Sequence, residues 1–281
     1  MHGVTVGSAV LSPGALTDPG CTGVVRVLGG PGTGKSTLLV ETAAAHIEAG
    51  ADPESVLLLT GSSRLGAQAR AAVTARLLRS APDRSVIREP IVRTVHSYAF
   101  AVLRQAAQRT GAPPPRLITS AEQDAIIREL LAGDLADGDR SPVRWPEHLR
   151  PALTTAGFAT ELRDLIARCT ERGVDPVELQ RIGRRAGRPE WVAAGRFAQV
   201  YEQVMLLRAA VGAAAPQATM PALGAAELVG AVLEAFAVDA DLLAAERARV
   251  RLLLVDDAQQ LDPQAAELVR VLGAGARLAV L

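Results

Sequence analysis

Lysine is almost absent from this chain. Of 30 basic residues among 281, 29 are arginine and a single one, Lys35, is lysine. Cysteine is nearly as scarce: Cys21 and Cys169 stand far apart with no metal-ligand spacing, and the four histidines are scattered. That excludes a disulfide framework and a zinc site of recognisable spacing, and it fits a reducing cytoplasm. Aromatic residues make up 3% of a chain that is 49% hydrophobic, so the core must be built from Ala, Leu and Val. Thirty acids balance the 30 bases, so no global field advertises nucleic acid or membrane. No apolar run approaches the roughly 18 residues of a membrane span, and the N-terminus lacks a signal-peptide pattern. The charge is uneven locally: from Arg64 to Arg116 ten Arg face only Asp83 and Glu89, a block compatible with a phosphate-backbone partner or with solvated helix faces.

What is present is concentrated in residues 29–37. They read Gly29-Gly30-Pro31-Gly32-Thr33-Gly34-Lys35-Ser36-Thr37, the full phosphate-binding P-loop pattern. An apolar run over 24–28 precedes it and Leu38 to Ala45 follow, which is strand, glycine loop, helix. The glycines let successive backbone N–H groups turn inward around a phosphate chain, and the helix N-terminus adds partial positive charge. In such a loop Lys35 bridges the β- and γ-phosphates of ATP and the Ser36 hydroxyl ligates Mg²⁺. The one lysine marks the place where a compact ammonium is needed and a guanidinium fork does not fit.

Residues 1–23 read as a Gly/Pro-rich, loosely held lead-in. Apolar runs over 24–28, 56–60, 91–95, 250–255 and 277–281 predict five strands joined by helical crossovers. This is an α/β fold with a parallel sheet and helices on both faces. After Ala112-Pro113-Pro114-Pro115 the rhythm changes. Helical patterns cover roughly 158–172, 176–186, 189–211 and 223–238, and Ser120-x-x-Gln123 reads as a helix start. The domains expected are therefore a discontinuous nucleotide-binding domain, 24–110 with 246–281, and an all-helical insertion, 111–245. Trp191 and Tyr201 are expected in the insertion's core rather than as base-stacking platforms. Ligands of such sheets sit at the carboxyl ends of the strands, where the P-loop, Thr60, Thr94 and Asp256 all fall. Asp256, closing the run Leu252–Val255, is placed to hold the Mg²⁺ that Ser36 touches, and Asp257 to polarise an attacking water.

The set GGPGTGKST, Thr60-Gly61-Ser62-Ser63-Arg64, Thr94-Val95-His96-Ser97 and Val255-Asp256-Asp257-Ala258-Gln259, in that order, resembles the superfamily 1A DNA helicases of the UvrD/Rep type. The Ala/Arg-rich character and Arg188-Pro189-Glu190-Trp191-Val192 look most like the actinobacterial AdnAB-type helicase–nuclease subunits. The resemblance implies a RecA-like P-loop NTPase domain with a 1B-like insertion, ATP and Mg²⁺ as cofactors, and ATP-driven translocation on single-stranded DNA in repair or recombination. It implies a catalytic set of Lys35, Asp257 and Gln259, the last coupling nucleotide to DNA, and backbone contacts from Thr60, Ser63, Arg64, Thr94, His96 and Ser97. A helicase–nuclease partner subunit is implied too; a membrane is not. Departures are plain: Asp257 stands where the family has Glu, Gly61 where an aromatic is usual, Gln260 where an acid is usual, and no Gln precedes the P-loop. After the position of Leu281 the family carries motif III and a second RecA-like domain. This chain alone is therefore expected to bind Mg·ATP weakly, turn it over slowly and not unwind DNA. A DNA-binding subunit with a vestigial nucleotide site, and a P-loop NTPase unrelated to nucleic acid, are the alternatives.

Overall fold

A computed structural model describes residues 12–80, 90–212 and 222–281. The expected basic residues Arg84 and Arg88 lie outside the described residues. In chain order the elements are α1 (Pro13–Thr17), β1 (Gly23–Val25), α2 (Lys35–Glu48), β2 (Val56–Thr60), α3 (Ser63–Ser80), β3 (Ile91–Thr94) and α4 (Val95–Thr110). There follow β4 (Arg116–Leu117), α5 (Ser120–Asp137), α6 (Ala156–Glu171), α7 (Pro176–Arg185), α8 (Pro189–Gly212), β5 (Ala222–Leu223) and α9 (Glu227–Val238). The chain closes with α10 (Ala240–Arg249), β6 (Leu252–Val255), α11 (Pro263–Gly273) and β7 (Leu278–Val280). Two compact units result, one running through Ala99 and resuming at Leu233, the other Phe100–Val232. The breaks fall inside α4 and α9. A helix that continues through a boundary gives no compositional signal there, and the sequence-based limits of 111 and 245 follow the proline run at 113–115 and the return of the apolar run at 250 instead.

In the first unit every strand pair is parallel and the order is β1-β7-β6-β2-β3. All five residues of β2, and all of β6 and β7, are buried, as continuous apolar runs demand of strands covered on both faces. One face packs Val56, Leu58, Leu252, Leu254, Leu278 and Val280 against α1, α2 and α3, through Leu16, Leu39, Ala43, Ile47, Val73 and Leu77. On the other face Ala279 and Leu253 lie beside Gly273 of α11. Strand β1 is shorter than the run 24–28: only Gly23–Val25 pair regularly with β7, and Leu28 is 84% exposed. One further bond, from Val27 N–H to the Leu281 carbonyl, carries the ladder toward the loop.

Two side-chain clusters that the sequence does not advertise hold this unit together. Tyr98 donates to the Glu246 carboxylate at 2.6 Å, and Arg249 holds the same oxygen at 2.5 Å. Glu246 is buried, so its charge is supportable only with both partners present. Arg277, just before β7, donates to the Cys21 carbonyl at 3.0 Å and reaches His46 Nε2 at 2.8 Å. Since arginine can only donate, His46 Nε2 accepts and its Nδ1–H is left to donate to the Thr42 carbonyl, 3.0 Å away. The described part of the lead-in, from residue 12 on, is thus anchored rather than loosely held: Leu16 is buried and Arg277 ties 18–21 to the sheet.

The second unit is helical except for a two-residue parallel ladder, Arg116–Leu117 beside Ala222–Leu223. Its core gathers Ile127, Leu131, Trp145, Leu162, Phe197 and Tyr201, with Trp191 packed at its border. The helix expected to start on Ser120 and Gln123 is capped one residue earlier. Thr119 Oγ1 accepts from the Glu122 N–H at 3.2 Å, and the Glu122 carboxylate accepts from the Thr119 N–H at 2.8 Å. This is the reciprocal capping box, which Ser120 and Gln123 do not make. Helices α7 and α8 cross closely because Gly183 and Gly195 sit at the contact; a Cβ on Gly195 would stand 2.7 Å from the Pro176 carbonyl oxygen.

Burial, aided by the Arg277 charge, lowers the His46 pKa below its ordinary 6.5, against the opposing bond to Thr42. A depressed base is neutral in both states at higher pH, while below its unfolded value only the unfolded chain gains the proton. The stability contributed is therefore whole above about pH 6.5 and declines as pH falls from there. Thermal unfolding between about pH 7 and 5 will show this decline in the unsubstituted chain, and His46→Gln will flatten it.

Candidate nucleotide and nucleic-acid site

The P-loop is exposed from Gly29 to Gly34 and gives way to α2 at Lys35. Gly32 and Gly34 take φ values of 75° and 87°, the left-handed region that glycine alone enters freely. Gly29 is constrained by space, since a Cβ there would lie 2.5 Å from Thr33 Oγ1. That hydroxyl is itself fixed, donating to the Gly30 carbonyl at 2.9 Å. Lys35 folds its ammonium back over the loop and donates to the Gly29 and Gly30 carbonyls at 2.7 and 2.8 Å. The positive charge thus sits inside the arc of the loop, where a phosphate would replace the two carbonyls. Pro31 and Thr37 complete the exposed rim.

Across the sheet, β6 delivers Asp256. Its backbone N–H bonds the Leu59 carbonyl at 2.9 Å, one step past the β2–β6 ladder, so the carboxylate is carried on rigid structure. Ser36 Oγ donates to both carboxylate oxygens, at 2.9 and 3.0 Å, although the two residues are 220 apart in sequence. A hydroxyl and a carboxylate converging on one point, both hard oxygen donors, fit Mg²⁺, which prefers few protein oxygens and retains water and phosphate ligands. From this pair a cavity of about 340 Å³ runs between α2 and α3, lined by Thr37, Leu39, Val40 and Leu58 and touching Thr60.

The remaining candidates lie along the same rim. Thr60 is buried and its hydroxyl donates to the Ser62 carbonyl at 3.1 Å, so it shapes the turn into α3. Ser62 Oγ accepts from the Leu65 N–H at 3.2 Å and caps that helix, a role legible as a serine just before a helical run. Ser63 and Arg64 are exposed on its first turn. Thr94 Oγ1 accepts from the Ser97 N–H at 3.1 Å and starts α4 in the same way; Arg93 reaches Ser97 Oγ at 3.5 Å. His96 is half-buried. A second cavity, about 130 Å³ and open to solvent, is lined by Thr60, Thr94 and His96 together with Asp256 and Asp257. The structure therefore brings the acidic pair and the Thr60, Thr94 and His96 positions to one cleft. Lys35 and the P-loop stand at its Ser36 neighbour. Asp257 adopts φ 52°, ψ 44°, and Gln259 Nε2 donates to its Oδ1 at 3.0 Å. Of the basic block, Arg76 is tied to Glu41 and Glu48, and Arg116 to Glu122, so these guanidinium groups serve ion pairs within the chain.

A parallel sheet with this loop at the end of one strand and a carboxylate beyond another defines a P-loop nucleotide-binding domain. A family model of the UvrD/REP helicase N-terminal domain matches residues 15–280, and the chain belongs to that family of helicase motor domains. No curated protein matches the chain. Family membership implies ATP and Mg²⁺ as the working pair and DNA as a partner. Among the described residues no helix is long and apolar enough to cross a membrane.

Two substitutions test the loop. Lys35→Arg keeps the charge but brings a planar fork into a space shaped by two carbonyls, and will lose nucleotide affinity by at least about tenfold. Gly29→Ala will do likewise by displacing Thr33. Titration with a fluorescent ATP analogue checks both; retention of affinity in Lys35→Arg would show that the loop is not what holds the phosphates.

Proposed function

We propose that this chain is an ATP-binding motor domain that couples ATP hydrolysis to movement along single-stranded DNA. The observation that carries the reading is the shared cavity, in which Asp256 and Asp257 line the same space as Thr60, Thr94 and His96 at the ends of three neighbouring strands. The P-loop N–H groups and Lys35 bind the β- and γ-phosphates, and Ser36 with Asp256 holds the cation. Mg²⁺ held there supplies charge neutralisation between the phosphate oxygens. Asp257 accepts the proton of the attacking water, and Gln259 lies between that acid and the exposed rim. Ser63, Arg64 and Ser97, at the exposed first turns of α3 and α4, face the DNA phosphates with helix N-termini behind them. Asp256 is bonded through its N–H to the Leu59 carbonyl beside Thr60, and Thr60 is in register with Thr94, so a shift at the cation is passed to the neighbouring strand ends, which is the physical content of coupling here.

The segment Arg188–Val192 and the replacement of lysine by arginine support a place near the actinobacterial helicase–nuclease subunits, with a partner subunit and a role in DNA repair or recombination. In this chain Arg188 lies over the Trp191 ring, 5.7 Å from its centroid, and pairs with Glu190 at 3.0 Å.

The test is reciprocity. A non-hydrolysable ATP analogue with Mg²⁺ will change the affinity of the chain for a fluorescent single-stranded oligonucleotide by about 5-fold or more, and the oligonucleotide will change the analogue's affinity by the same factor. DNA affinity will fall steeply as salt rises. DNA binding that nucleotide leaves untouched would favour a DNA-binding subunit with a vestigial nucleotide site, and DNA binding absent at low salt would favour a P-loop NTPase with no nucleic-acid role.

A further inference from the structure

The turn leaving β6 is held in an unusual way. Asp257 sits in the left-handed region, at φ 52° and ψ 44°. A residue with a Cβ is disfavoured in this conformation, and Asp and Asn bear it best. The Gln260 N–H donates to the Asp257 carbonyl at 2.8 Å, closing a 3₁₀ turn over Ala258–Gln260 and fixing the backbone. The Gln259 side chain then returns over this turn and donates through Nε2 to Asp257 Oδ1 at 3.0 Å. Asp256, one residue back, is occupied by Ser36 instead. Adjacent carboxylates are thus given to different partners, one to the P-loop helix and one to the amide of Gln259.

Taking the proposed ATPase reading as its basis, we infer that Gln259 is a positioning residue for Asp257. A short carboxylate on a left-handed backbone has more than one rotamer open to it. The amide donor selects one by engaging Oδ1, which leaves Oδ2 free to accept from a water. The arrangement also accounts for aspartate at this position. A glutamate would carry its carboxylate one methylene beyond the amide, and it tolerates the left-handed turn less well. Gln259 is itself exposed, so its side chain contributes little to the core and can be exchanged without unfolding the chain.

The experiment compares two affinities of the whole chain in Mg²⁺, for a fluorescent ADP analogue alone and for the same analogue with aluminium fluoride, which mimics the phosphoryl group in flight with its in-line water. In the unsubstituted chain aluminium fluoride will tighten binding. Gln259→Ala will leave the affinity for the ADP analogue within about 2-fold and reduce the tightening by about 10-fold, as expected of an interaction realised only in the transition state. Asp257→Ala will abolish the tightening, and the double variant will be no worse than Asp257→Ala, because Gln259 acts through Asp257. Equal weakening of both affinities in Gln259→Ala, or losses that multiply in the double variant, would overturn the inference. If the unsubstituted chain binds the ADP analogue yet gains nothing from aluminium fluoride, the ATPase reading itself fails. If it gains and Gln259→Ala does not alter the gain, only the positioning role falls.

Discussion

The site exists because β6 and β7 insert between β1 and β2. The chain lays down the P-loop strand and the strand ending at Thr60 first, yet these two do not pair; the strands at 252–255 and 278–280 fill the space between them. Every backbone bond that aligns the P-loop with Asp256 therefore runs through segments at opposite ends of the sequence. Ser36 meets Asp256 across that join, and Asp256 is held by the Leu59 carbonyl on its far side. The order also sets folding: ladders closing such long loops form late, after the local helices.

The electrostatics follow from the same placement. One lysine folds into the arc of the loop against two carbonyls, while several arginines elsewhere are engaged in ion pairs and backbone bonds, as at Arg76, Arg163, Arg249 and Arg277. Arginine's rigid fork suits a carboxylate or several carbonyls at once, and a thin ammonium suits a phosphate chain wrapped by backbone. The lysine is thus kept for the wrapped phosphate chain, and the arginines named here for fixed partners within the chain.

Much of this was legible before any coordinates. The glycine loop, the two fully apolar strands and the acid closing β6 are local patterns with strong physical meaning, and the strand ends fixed which residues share a rim. What was not legible depends on contacts remote in sequence or on backbone geometry. Nothing in the pattern around Tyr98 or Glu246 reveals that they pair, and nothing marks Arg277 as the tie for residues 18–21. The left-handed turn at Asp257 hides behind an ordinary acidic pair. The capping box moved by one residue because Ser120 and Thr119 both fit the pattern, and only the reciprocal bond to Glu122 decides between them. The hydroxyls of Thr60 and Thr94, which the sequence motif offers as DNA contacts, also shape the start of a helix in the fold, a second role the motif does not reveal.

The central claim is that Ser36 and Asp256, brought together by the interposed strands, form one cation site with the P-loop. The measurement that tests it most directly is the gain in ATP affinity on adding Mg²⁺, by calorimetry, in the unsubstituted chain and in Asp256→Ala. The account predicts a clear Mg²⁺-dependent tightening that disappears in Asp256→Ala while Mg²⁺-free binding through the loop persists. An equal Mg²⁺ gain in both proteins would contradict it.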